Sequence, residues 1–169
     1  HRALAAVLQG LLHLVTEIDE GRMQPDFRVL AAMLYYIDTF PQKLHHPKEE
    51  AYLFRRVKMR TREADAAILK LEEQHRAGVE HVKALEMSLG KYQAGAPGGR
   101  EEFMAAAERF ADEIAVHMAL EENVLIPIAK HQLLDEDWAE IARAFGENGD
   151  PRFGAEPDHE FRALFSRIV

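Results

Sequence analysis

No cysteine occurs among the 169 residues, which excludes disulfides, thiolate-held zinc and ordinary iron–sulfur clusters within this chain. A chain without cysteine fits a reducing, cytoplasmic setting. Nor is there an apolar run approaching the roughly 20 residues that a membrane span takes, so no membrane association is expected. Basic residues are too few and too scattered for a nucleic-acid interface: 21 Lys and Arg stand against 29 Asp and Glu, a net charge of −8, and phosphate binding needs clustered positive charge. Glycine (10) and proline (7) are sparse and gather at a few points, leaving long uninterrupted stretches. No signal-peptide pattern is visible, although a chain starting at His1 rather than Met leaves room for a segment upstream.

What remains is rich in Ala, Leu and Glu, with apolar residues at helical spacing. The length suits one domain with a real core. Leu4, Leu8, Leu11, Val15 and Ile18 make one stripe over residues 1–20. A second helix runs over about 27–58, with Val29, Leu30, Met33, Leu34 and Ile37 inward. Pro41 and Pro47 interrupt it, each removing a backbone donor, so a kink is expected beside His45. A third spans about 62–92, with Ile68, Leu71, Val79, Val82 and Leu85 inward. After the Gly/Pro-rich loop at 94–99, a fourth covers about 101–131 with Phe103, Phe110, Ile114, Val124 and Ile128 inward. The expected fold class is all-α: an up-down-up-down four-helix bundle over residues 1–131, with a short helical C-terminal extension, residues 132–169, packing on it. In that extension 135–145 reads as a helix, 146–157 as a loop, and Asp158 as the cap of a last short helix. The extension reads equally as lid, end-cap or contact of a homodimer.

Nine histidines need an explanation, and a repeated phrase gives one. His45-His46-Pro47-Lys48-Glu49-Glu50 aligns with His117-Met118-Ala119-Leu120-Glu121-Glu122. His and Glu four apart lie on the same helix side, one turn above the other. Imidazole and carboxylate together suit iron, manganese or zinc. The repeat extends to His1-Arg2-Ala3 and His75-Arg76-Ala77. Each half therefore reads as a helix with a lone His followed by one with His-x-x-x-Glu, and two such halves can serve two metal ions. His1, His75 and His117 fall on apolar stripes, where an ionisable neighbour such as Glu121 is costly unless coordinated. The second copy's register selects His45 over His46 and Glu49 over Glu50, leaving His46 as a candidate extra ligand through the kink. His13 reads as no ligand, His81 as solvated or hydrogen-bonded, His131 as a helix-end charge, and Glu50 and Glu122 as exposed in preference to hydrogen-bonding a ligand. Tyr35, Tyr36 and Tyr52 read as packing residues rather than donors to a bound group.

The His-His-Pro-Lys-Glu-Glu and His-Met-Ala-Leu-Glu-Glu-Asn stretches resemble the signatures of the hemerythrin-like family, the HHE cation-binding domain, over residues 1–131. That resemblance implies a four-helix bundle holding two iron ions in a non-haem centre bridged by carboxylates and an oxo or hydroxo group. By motif position the metal ligands are His1, His45, Glu49, His75, His117 and Glu121, with the two glutamates bridging. The oxygen-carrying members have a further His one turn from the third-helix ligand. Here those positions are Leu71 and Val79, which cannot ligate. Fewer imidazoles leave more open positions on the metals, so binding of a diatomic ligand (oxygen or nitric oxide), di-iron redox catalysis of oxidase or peroxidase type, and iron or oxygen sensing all stand as readings.

Overall fold

The computed structural model describes residues 2–146; His1 and the loop and last helix expected beyond 146 lie outside them. The described residues form five helices and no strand. Helix α1 is Arg2–Asp19, α2 is a continuous helical run over 27–60, α3 is Asp65–Gln93, α4 runs over 99–132, and α5 is Asp135–Gly146. The expected all-α bundle is what forms. Among the described residues, no helix is long and apolar enough to cross a membrane.

Local chemistry sets several of the ends. Asp26 caps α2, its carboxylate accepting from the Arg28 and Val29 backbone N–H groups at 3.1 and 3.2 Å and satisfying donors no helical carbonyl can reach. Gly98 precedes α4 at φ +72°, a left-handed conformation that a Cβ would strain. Cross-helix partners show the directions. Phe27 meets Tyr92 while Lys58 meets Glu72, so α2 and α3 run antiparallel. Lys91 pairs with Glu102, and His81 with Glu113, so α3 and α4 do too.

The prolines do more than kink. Residues Asp38–His45, which contain Pro41, and Glu49–Phe54 are π-helical, as are Glu121–Leu125 in α4. A π turn bonds i to i+5 and inserts one extra residue per turn, which suits functional sites. It also moves the inward face along by a position. That is why Leu125, fully buried, takes the inward place expected for Val124, which is 38 % exposed. Val79 is also outward, at 42 % exposure, because Gly78 is the position α2 packs on: a Cβ there would come within 2.9 Å of Gln42 Nε2. The stripes expected for α1 and for the first turns of α2 are buried as read.

Two apolar cores result. One joins α1, the start of α2, the end of α3 and the start of α4, around Leu11, Met33, Leu85 and Phe103. The other joins the end of α2, the start of α3, the end of α4 and α5, around Phe54, Leu71 and Leu125. Between them lies a layer in which Gln42, His46, Glu49, His75, His117 and Glu121 are all buried. Buried polar side chains in such numbers are costly unless something satisfies them.

Helix α5 is held on by charge. The Asp137 carboxylate, buried, accepts from Arg60 at 2.9 and 3.2 Å and from the Leu134 backbone N–H at 3.0 Å. Arg60 first, and the Leu134 amide next, hold the Asp137 carboxyl below its usual value of 3.8. A carboxyl depressed in the folded state stabilises above its unfolded pKa, and that stabilisation is lost as pH falls through the folded value. Trp138, the single tryptophan, sits on α5 against the second core. Its fluorescence is expected to report α5 loosening as pH drops below about 4, and Asp137→Asn is expected to show the loosened signal already at neutral pH. A wild-type signal in that variant would argue against electrostatic docking of α5.

Candidate metal centre

The buried layer gathers side chains from three helices. His46 begins the short stretch between the two π segments of α2 and Glu49 begins the second of them, His75 comes from mid-α3, and His117 and Glu121 come from the middle of α4. His46, Glu49, His75 and His117 each offer one ligand atom, and these atoms all lie within 4.8 Å of one another. The His46 and His75 rings stack, with centroids 4.0 Å apart and planes 6° apart, and His117 tilts beside both at 5.2 and 5.0 Å. Phe54 closes the other face of His75 at 5.6 Å.

Each of the three buried imidazoles is held by its Nδ1. His46 Nδ1 faces Gln42 Oε1 at 3.2 Å, His75 Nδ1 faces Glu50 Oε1 at 2.8 Å, and His117 Nδ1 faces Gln74 Oε1 at 3.1 Å. All three partners are acceptors, so each Nδ1 carries the proton and donates. The Nε2 lone pair is then left for a Lewis acid, the arrangement by which proteins orient metal-binding histidines. Gln42 and Gln74 were not singled out in the sequence. Gln42 precedes His46 by one helical turn, which is the signal that could have found it. Glu50, read as exposed, is 44 % exposed at its side chain and still reaches His75.

Glu49 faces two ways. Its Oε1 is 2.8 Å from His45 Nε2, and its Oε2 is 3.4 Å from His75 Nε2. The second pair is buried without meeting hydrogen-bond geometry, so Glu49 Oε2 and His75 Nε2 both lack a hydrogen-bond partner. Two such atoms aimed at one point fit a cation lying between them. Burial works to raise the Glu49 carboxyl, but contacts with His45 and His75 outweigh it and hold it well below its usual value. Burial, reinforced by His75, pushes His46 down to about 3. At neutral pH the centre thus offers an anionic carboxylate and a neutral His46 imidazole, the forms in which these groups ligate metals.

The residues read from the sequence fall into four groups. Glu49, His75 and His117 are in the cluster. Glu121 lies beside it, buried, with Oε1 3.8 Å from His117 Nε2. His45 reaches Glu49 from a half-exposed position, while His46, the extra candidate, sits inside. The difference is physical: His45 ends the π segment Asp38–His45, whereas α4 is α-helical through His117, so the two histidines do not take the same side of their helices. His1 lies outside the described residues. His45 also packs edge-on to Phe145 of α5 at 5.0 Å, and Lys48 Nζ donates to the Ala144 carbonyl at 2.7 Å. Tyr36 is core, as read, and His13 is exposed; Tyr35, read as packing, is instead 56 % exposed.

Comparison with curated proteins gives no match, and comparison with solved structures gives none. A family model, the hemerythrin HHE cation-binding domain, matches residues 1–129. The match spans the helices that supply every residue of the cluster: the chain belongs to the hemerythrin HHE cation-binding domain family, and its His/Glu cluster can hold a metal.

Proposed function

We propose that this protein holds two non-haem iron ions in the polar layer and binds or responds to oxygen, nitric oxide or a related small molecule there. The observation that carries the reading is the convergence of three Nδ1-anchored imidazoles and the Glu49 carboxylate within 4.8 Å. The two-sided placement of Glu49, toward His45 and toward His75, supports a bridging role, and Glu121 beside His117 is suited to the same role on the α4 side. The ligand set is then His45, Glu49, His75, His117 and Glu121, with His1 from the motif and His46 as an added imidazole. Iron supplies open coordination positions and a change of redox state, whereas manganese and zinc accept the same donors. What the chain's own residues do is hold imidazoles by their Nδ1 protons and keep the centre between two apolar cores.

A sensing role has one observation in its favour: α5 touches the centre through Phe145 on His45 and through Lys48. A shift of His45 on metal binding would be felt by α5.

Anaerobic loading with ferrous iron, followed by metal analysis and visible spectra on adding oxygen or nitric oxide, tests the proposal. About two irons per chain and a ligand-dependent band are expected. His46→Ala is expected to lower iron content more than His45→Ala, because His46 is inside the cluster and His45 at its edge. A colourless protein without bound iron would sink the reading.

A further inference from the structure

A cavity of about 360 Å³ lies between α3 and α4 and ends on His46 and His117. That volume falls at the lower end of the range for small-molecule sites, roughly 300–1,000 Å³. One water needs only about 10–15 Å³ of such space, so a diatomic ligand would fill only a fraction of it. Phe110 and Ile114, both buried, form apolar wall on the α4 side. Gln42 lines the cavity as well; it is 6 % exposed, its Oε1 accepts from His46, and its Nε2 is buried with no hydrogen-bond partner. Gly78 makes room for this amide, since a Cβ there would meet Gln42 Nε2 at 2.9 Å. An unmet donor at an apolar site marks where a ligand oxygen would be recognised. At the lip, Asp112 and Glu113 are exposed acids, with His81 paired to Glu113 at 2.5 Å, so an anion is disfavoured.

We propose that this cavity binds a small, uncharged, largely apolar organic molecule with one hydrogen-bond-accepting oxygen, which meets Gln42 Nε2 beside the metal centre. The apolar body lies along Phe110 and Ile114. Binding here does not depend on which metal the centre holds; only the molecule's place next to a metal rests on the function proposed above.

Acetophenone, ethylbenzene and benzoate probe the three features separately. Titrated into the full chain, zinc-loaded and metal-free, and followed by the Gln42 side-chain and Gly78 backbone NMR signals, acetophenone is expected to saturate with a Kd of about 0.1–1 mM. Ethylbenzene, which lacks the oxygen, is expected to bind about tenfold more weakly, and benzoate not measurably. Ala77 lines the cavity at an exposed position, so Ala77→Trp should fold, as checked by circular dichroism, and abolish acetophenone binding. No saturation by acetophenone, equal binding of ethylbenzene, preference for benzoate, or persistence of binding in Ala77→Trp would overturn the proposal. Zinc content measured in the same samples separates the two ideas: loss of zinc binding with ketone binding intact counts against the metal centre alone.

Discussion

Glu49→Gln is expected to remove bound metal while leaving the helices intact. The substitution keeps the shape of the side chain and replaces an anionic oxygen that faces His45 on one side and His75 on the other. Changes to residues that only orient metal ligands typically cost 10–100-fold in affinity, so loss of a direct anionic donor is expected to cost more than about 100-fold. Stability makes the effect visible. A ligand at about 1,000 times its Kd stabilises the folded state by about 4 kcal/mol. For a chain of this size that raises Tm by about 8–16 °C. Wild-type protein should show this rise on adding metal, and Glu49→Gln should show almost none. Without metal, the variant should melt somewhat below wild type, because a carboxyl held well below its usual value stabilises the folded state at neutral pH and a neutral amide loses that contribution. Wild-type metal content and an undiminished metal-dependent rise in Tm in Glu49→Gln would remove Glu49 from the ligand set.

Phe54→Ala is the second large effect. Phe54 is fully buried in the second core, and its ring lies 5.6 Å from His75 with the planes 15° apart. Deleting a buried phenyl ring costs about 3–5 kcal/mol, part lost transfer energy and part the cavity left behind. That corresponds to a fall of about 6–20 °C in Tm. The ring also forms the apolar face of the metal centre, so metal affinity is expected to fall with stability. Phe54→Leu, which keeps most of the volume, is expected to recover most of the melting temperature. Calorimetry with and without metal reads both quantities. A loss of less than about 1 kcal/mol would mean that the second core repacks freely and does not brace His75.

The helices were legible because the α1 stripe and the Met33 region of α2 repeat at 3.6 residues and bury what that period says they should. The ligand types were legible because His and Glu on apolar stripes have few physical excuses. Val124 and Val79 were misjudged for two different reasons, a π turn in α4 and the close approach of Gln42 to Gly78. Neither leaves a mark in hydrophobic periodicity. Gln42, Gln74 and Glu50 were missed or undervalued because a side chain that holds another through one hydrogen bond has no motif of its own.

By itself, the sequence determined the class of the molecule: a helical, cysteine-free chain with a duplicated His-x-x-x-Glu phrase and matched lone histidines, hence a family and a cation site. Those follow from periodicity and residue chemistry, which are local. Only the tertiary structure decided that His46 rather than His45 sits inside the cluster, that Glu49 looks both ways, and that each imidazole is anchored at Nδ1. It decided them because π turns shift a helix face by a whole position, and because which nitrogen points inward depends on an acceptor carried, for two of the three, by another helix.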